Sequence, residues 1–201
     1  MKINIGTDCS GIEAPIEALK KIKKKYDIDF NHIFSSEINK YAIECIKTNN
    51  KPKILFSDIQ KRNIEDIPDI DVYVSGFPCQ PYSRANKFKS DVDPRLNLFE
   101  DCLKVILGKK PKCFILENVK TLKTLNKGYY FNQIINRLED NDSYNVYHKI
   151  INTKDHGIPQ SRERLYIIGI LKSDLKKEFQ FPSDVKMKPL EKFIDNTCNT
   201  K

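Results

Sequence analysis

Lys2-Ile3-Asn4-Ile5-Gly6-Thr7, followed by Asp8-Cys9-Ser10-Gly11-Ile12-Glu13-Ala14-Pro15, decides the fold of this chain. The first run is short and β-branched, as a buried strand is. The second is a turn of small and polar residues that opens a helix at the C-terminal end of that strand. The same rhythm recurs along the sequence. Strands are predicted at residues 2–7, 31–36, 53–56, 71–75, 113–117, 144–151 and 164–170, with helical stretches in most of the gaps. Ile16, Leu19 and Ile22 keep one apolar face in residues 14–25, and Ala42, Ile43 and Ile46 keep one in residues 39–49. Leu98, Cys102, Val105 and Ile106 repeat the pattern before Gly108, and Phe131, Ile134, Ile135 and Leu138 repeat it after Gly128. Strands alternating with helices are βαβ units, so the expected fold is α/β, a mostly parallel sheet with helices on both faces.

The 201 residues suit one domain with a sizeable core. The formal net charge of +8 fits a polyanionic partner such as nucleic acid, although scattered lysines also serve simply as a solvated surface. The six cysteines are widely spaced, with no C-x-x-C pair and no zinc spacing, and read as reduced thiols. The N-terminal apolar run is too short for a signal peptide, and no segment approaches the ~20 apolar residues that span a bilayer. A soluble, cytoplasmic protein is expected.

Two long polar segments, residues 76–94 and 152–163, break the rhythm, and such loops usually act on something. From Lys172 onward the sequence is Lys-rich and interrupted by Pro182 and Pro189, with a weak helical signal at 190–194. Residues 1–171 are read as the folded domain and 172–201 as a basic tail.

Ligands of open α/β sheets bind where the first turn lies, and Gly11 would let the backbone approach one. The dinucleotide pattern G-x-G-x-x-G is absent, which argues against an oxidoreductase. Glu37, at the end of the second strand, can accept from both hydroxyls of a ribose. Asp58, just after the third, can accept from an adenine amino group. Either acid alone could equally be a helix cap or a solvated loop residue. Together with the first loop they point to an adenosine-containing cofactor. The strongest signal is Ser75-Gly76-Phe77-Pro78-Cys79-Gln80-Pro81-Tyr82-Ser83. Pro78 and Pro81 stiffen this segment at the end of the fourth strand, so it can display the Cys79 sulfur to a reacting carbon. As a nucleophile, Cys79 needs a thiolate.

Residues 76–83 match, one for one, the nucleophile motif Gly-Phe-Pro-Cys-Gln-Pro-[Phe/Tyr]-Ser, so the sequence resembles the cytosine-C5 DNA methyltransferases. Glu117-Asn118-Val119 resembles that family's Glu-Asn-Val motif, and Gln160-Ser161-Arg162-Glu163-Arg164 its Gln-x-Arg-x-Arg motif, in the same order. The likeness covers about residues 3–170.

The resemblance implies a class I S-adenosylmethionine-dependent methyltransferase, Rossmann-like, acting on a cytosine rotated out of double-stranded DNA. It implies S-adenosylmethionine held by Cys9, Ser10, Gly11 and Ile12 at the methionine end, Glu37 at the ribose, and Asp58 and Ile59 at the adenine, with Ile38, Pro78 and Leu98 also binding it. It implies attack by Cys79 on carbon 6, with Glu117 holding or protonating ring N3 and Arg162 and Arg164 supplying fixed positive charge near the base carbonyl and phosphate. No side chain is an obvious base for removing the carbon-5 proton, and His156 is left unassigned.

The sequence departs from the family at Glu13 and Ala14, where glycine is common. It also lacks, after Ile170, a target-recognition region and a closing Gly-Asn motif. The expectation is a truncated remnant, a gene fragment, or one half of an enzyme completed by a second polypeptide. A non-catalytic binding subunit and a tRNA cytosine methyltransferase remain as alternatives.

Overall fold

The computed structural model describes residues 2–78 and 98–194. Cys79 and Cys198 lie outside the described residues, as does most of the predicted 76–94 loop. The elements are β1 (Lys2–Asp8), α1 (Ala14–Tyr26), β2 (Asp29–Ser36), α2 (Lys40–Asn49), β3 (Ile54–Phe56), β4 (Val72–Ser75), α3 (Leu98–Lys109), β5 (Cys113–Val119), α4 (Tyr129–Glu139), β6 (Tyr144–Asn152) and β7 (Glu163–Leu171). The seven strands form one sheet in the order β3-β2-β1-β4-β5-β7-β6. Pairings among β1 to β5 are parallel. Only β7 runs against its neighbours, β5 and β6. The expected mostly parallel α/β sheet is what is observed.

Side chains alternate between the faces of a strand. Phe34, Gly6, Tyr73, Phe114 and Gly169 therefore share one face, because they are registered across neighbouring strands. Their buried rings join one core with Phe99, Cys102 and Ile106 of α3 and Phe131, Ile134 and Leu138 of α4. The two glycines are required there. A Cβ on Gly6 would lie 2.0 Å from the Phe34 ring, and one on Gly169 would lie 2.0 Å from the Phe114 ring. Thr7 and Ser35 point to the opposite face, where both hydroxyls donate to Glu13, the residue that opens α1. Ile5 and Ile16 are buried on this second side. Helices thus cover both faces.

Most boundaries differ from the sequence reading by a residue or two, and two of the differences have a plain physical reason. β2 begins at Asp29 because Asp27 takes a left-handed φ of 48° and closes α1, so Asp29 pairs at once with Lys2. α3 runs through Gly108 to Lys109 rather than ending at it. The glycine suits the packing, since a Cβ there would meet Ile64 Cγ1 at 3.1 Å.

The segment after β7 folds back on the domain. Phe179 packs on Tyr147 of β6 with ring centroids 5.1 Å apart, and on Phe181 at 5.0 Å. The Val185 N–H donates to the Asp155 carbonyl at 2.8 Å, and His156 pairs with Val185 as an isolated bridge. The helical signal at 190–194 is one short 3-10 turn, Leu190–Lys192. Among the described residues no helix is long and apolar enough to cross a membrane, and no cluster of three or more His, Cys, Asp or Glu could hold a metal ion.

Candidate active site

The C-terminal ends of β1 to β4 open onto a cavity of about 410 Å³. Seven residues singled out in the sequence line it: Cys9, Glu37, Ile38, Asp58, Ile59, Pro78 and Leu98. Ser36, Gln60 and Gly76 complete the lining. Two carboxylates and a set of aliphatic walls are the donor set an adenosine needs, with acceptors for its hydroxyls and amino group and apolar surface for its base. Ser10, Gly11 and Ile12 are not brought to the cavity wall. Ser10 turns inward and bonds the Thr7 and Ser36 carbonyls at 3.2 Å each, and Ile12 points to solvent.

Gly11 acts through its backbone. At φ 55° it lies in the left-handed region, and its N–H donates to Glu37 Oε2 at 2.7 Å. Glu37 Oε1 accepts from the Ile38 and Asn39 N–H groups at 2.9 and 2.8 Å. The turn after β1 and the turn after β2 are thus joined by one carboxylate. Asp58 is a cap, the alternative its sequence position left open, and it also lines the cavity. It caps the turn Ile59–Lys61 by accepting from the Gln60 N–H at 3.0 Å.

Glu117 stands near the end of β5. Register places Arg164 opposite Val119, so Arg164 and Glu117 are diagonal neighbours on one face of an antiparallel pair. Arg164 Nε lies 3.0 Å from Glu117 Oε1. Burial raises the Glu117 carboxyl above its ordinary range, and Arg164 and Arg162 offset only part of that rise. A Cβ placed on Gly76 would lie 3.6 Å from Glu117 Oε2, so the segment leading to Cys79 passes in front of the carboxylate. Arg162 is exposed, and its backbone N–H donates to Asn152 Oδ1 at 3.0 Å. With Arg164 it lines a second hollow, of about 450 Å³, against Val119 to Thr121.

Two features escaped the sequence reading. Arg62 forms a bidentate ion pair with Asp8 beneath the cavity, and Glu13 is fully buried where glycine was expected. Neither carries a local signal, because the partners lie 54 residues away for Arg62 and 22 for the Glu13–Ser35 bond. The thiols of Cys9 and Cys102 are both pushed up, chiefly by burial, Cys102 to about 12. Neither suits a nucleophile.

The sequence profile described as C-5 cytosine-specific DNA methylase matches residues 6–199. The type II methyltransferase M.NlaX of Neisseria lactamica is 41% identical over 157 residues, which are 78% of this chain and 49% of that protein. M.HaeII of Haemophilus aegyptius is 44% identical over 156 residues, 77% of this chain and 47% of that one. The chain therefore spans about half the length of these curated relatives. Among solved structures, the Entamoeba histolytica methyltransferase EhMeth superimposes with a TM-score of 0.75 at 27% identity, over 99% of this chain and 62% of that one. Since the profile covers nearly the whole chain and runs through every element that builds the cavity and carries Glu117, this chain belongs to the C-5 cytosine-specific DNA methylase family.

Proposed function

We propose that this chain carries the catalytic machinery of an S-adenosylmethionine-dependent methyltransferase that modifies carbon 5 of cytosine in DNA. The observation that supports it best is the position of Gly76. It lines the cavity and adjoins Glu117, so the residues just ahead of Cys79 stand beside both a nucleoside-sized pocket and a half-buried acid.

In this reading Ile38, Ile59 and Leu98 bracket the adenine, Asp58 accepts from its amino group and Glu37 accepts from the ribose. A carboxylate offers about four lone-pair sites, and backbone N–H groups take three of those on Glu37. Glu37 thus has room for one hydroxyl as it stands and must release a backbone donor to take the second. When bound, S-adenosylmethionine supplies an electrophilic methyl group.

The chain's own residues supply the rest. Carbon 5 of cytosine is a weak nucleophile until the Cys79 thiolate bonds to carbon 6 and moves an electron pair toward carbon 5. Glu117, kept protonated to higher pH by burial, donates to N3 and stabilises the charge that develops as sulfur adds. Arg164 fixes the carboxyl through its ion pair, and the exposed Arg162 faces the base carbonyl and phosphate. After methylation the carbon-5 proton leaves and its electron pair expels Cys79. Choice of target sequence falls to a further segment or a companion polypeptide, in keeping with relatives twice as long as the matched region.

The test pairs two measurements on the purified chain: calorimetric binding of S-adenosylhomocysteine, and formation of a denaturant-stable adduct with duplex DNA carrying 5-fluorocytosine. Cofactor binding with an adduct lost in Cys79→Ser is expected. Neither binding nor adduct in the unsubstituted chain overturns the proposal. Binding without adduct, unchanged by Cys79→Ser, assigns the chain a non-catalytic role.

A further inference from the structure

We propose that Arg62 is a positioning residue for the cofactor cavity, a single buried guanidinium that holds three of its walls in register. The inference rests on the cavity being the cofactor site.

The cavity walls come from three turns that follow different strands: Cys9 after β1, Ser36 to Ile38 at the end of β2, and Asp58 to Gln60 after β3. Arg62 touches all three. It belongs to the third turn, four residues beyond Asp58. Its Nη1 donates to Asp8 Oδ1 at 2.7 Å and its Nη2 to Asp8 Oδ2, so it grips the residue next to Cys9 with both arms. Nη1 also donates to the Ser36 hydroxyl, on the residue next to Glu37. The guanidinium carbon lies 5.1 and 5.2 Å from the centroids of the Phe34 and Phe56 rings, which meet each other edge-on at 6.0 Å, so it rests against both. Tyr73 completes the cluster by donating to Asp8 Oδ2 at 2.6 Å.

The side chains of Arg62 and Asp8 are 5% and 0% exposed, so this is not a surface pair of negligible worth. Burial alone works against the cation, but Asp8 outweighs it and holds the guanidinium above its ordinary value. Only arginine can form this arrangement. A planar fork reaches both carboxylate oxygens and a hydroxyl while resting against two rings, whereas a lysine ammonium would satisfy Asp8 and leave Ser36 and the rings. Among the described residues no other side chain reaches all three turns: the Gly11–Glu37 and Ser10–Ser36 bonds join the first to the second, and the Glu37 N–H to Phe56 carbonyl bond at 3.1 Å joins the second to the end of β3.

The experiment compares the chain with Arg62→Lys, which keeps the charge opposite Asp8, and with the double variant Asp8→Leu/Arg62→Met, which removes both buried charges together. Hydrogen exchange is read at the Ser10, Gly11, Glu37 and Gln60 amides and, as a remote control, along the β6–β7 ladder. Binding of S-adenosylhomocysteine is measured by calorimetry. The expected result, in whichever variant folds, is exchange about tenfold faster at the cavity amides, an unchanged ladder, and binding about tenfold weaker. Unchanged exchange at the cavity amides overturns the proposal, as does faster exchange spread equally over the ladder, which would mark a purely structural pair. If the unsubstituted chain does not bind S-adenosylhomocysteine, the cofactor reading fails, while the exchange pattern still decides whether Arg62 holds the three turns together.

Discussion

Asn118 Nδ2 donates to the Phe77 carbonyl at 3.1 Å, and this bond ties the end of β5 to the segment two residues ahead of Cys79. Asn118 is 2% exposed and Phe77 is equally buried, with its ring packed on Phe99 at 5.8 Å. Neighbouring residues of the Glu-Asn-Val motif thus do two things: Glu117 adjoins Gly76, and Asn118 holds the segment that follows β4. Asn118→Ala leaves a buried carbonyl without its donor, which costs about 1–3 kcal/mol in urea unfolding. If Cys79 is the nucleophile proposed above, loosening the segment two residues ahead of it should lower the turnover number more than it raises the Michaelis constant for DNA.

Glu117 predicts a pH dependence of known sign. Its folded pKa lies above its unfolded value, because burial outweighs Arg164 and Arg162. The proton it holds in the folded state therefore contributes stability that is fully present below the unfolded value and is lost as pH rises through the folded one. Glu117→Gln removes that slope. Loss of the Arg164 ion pair adds a separate offset, so the informative quantity is the change with pH. Unfolding curves collected upward from pH 4 should show the wild type losing stability relative to Glu117→Gln across the carboxylate range, then levelling. Turnover of the variant should fall by about 10²-fold or more.

Thiol reactivity separates the cysteines. Burial pushes Cys102 up to about 12 and Cys113 up to about 11, and Cys9 is raised as well by burial and by its neighbours Cys102, Asp8 and Glu37. At pH 8 fewer than about one in a thousand Cys113 side chains is a thiolate, and Cys102 is lower still. Alkylation of the folded chain with iodoacetamide, mapped by mass spectrometry, should leave Cys9, Cys102 and Cys113 unmodified. Loss of activity should track modification of Cys79.

The sequence was most readable where information is local. The seven strands and four helices described above follow from β-branched runs and apolar periodicity, and six of the seven cavity-lining residues legible in the sequence lie just past strand ends, Leu98 opening α3 instead. What escaped was non-local. Arg62 looks like one more surface cation until Asp8, 54 residues earlier, is brought beside it by the β1–β2–β3 pairing. Glu13 looks like an imperfect glycine position, yet it is held at φ 66° with Oε1 accepting from Thr7 at 2.6 Å and from Ser35. Ser10 and Ile12 were placed at the cavity by motif alone. Whether a turn residue faces inward or outward depends on hydroxyl and backbone bonds to β2, which no spacing in the turn itself encodes.

Gly6 and Gly169 provide a matched pair of substitutions. Each lies under a cross-strand phenylalanine, and an added Cβ would stand 2.0 Å from the Phe34 or the Phe114 ring. Both rings are fully buried, so neither can swing aside into solvent. Gly6→Ala and Gly169→Ala should each destabilise the chain by about 1–3 kcal/mol or more, the cost of overpacking a dense core. Their effects on the cavity should differ. Phe34 is one of the two rings against which Arg62 rests, whereas Phe114 stands on the same face three strands away and packs on Tyr144, 5.1 Å between centroids. Displacing Phe34 moves the guanidinium that holds the cavity turns, and displacing Phe114 does not. Gly6→Ala should therefore weaken S-adenosylhomocysteine binding under conditions where both variants are folded, while Gly169→Ala leaves it near wild type. Equal binding by the two, measured by calorimetry at a temperature well below both unfolding transitions, would separate the Phe34 ring from the cavity.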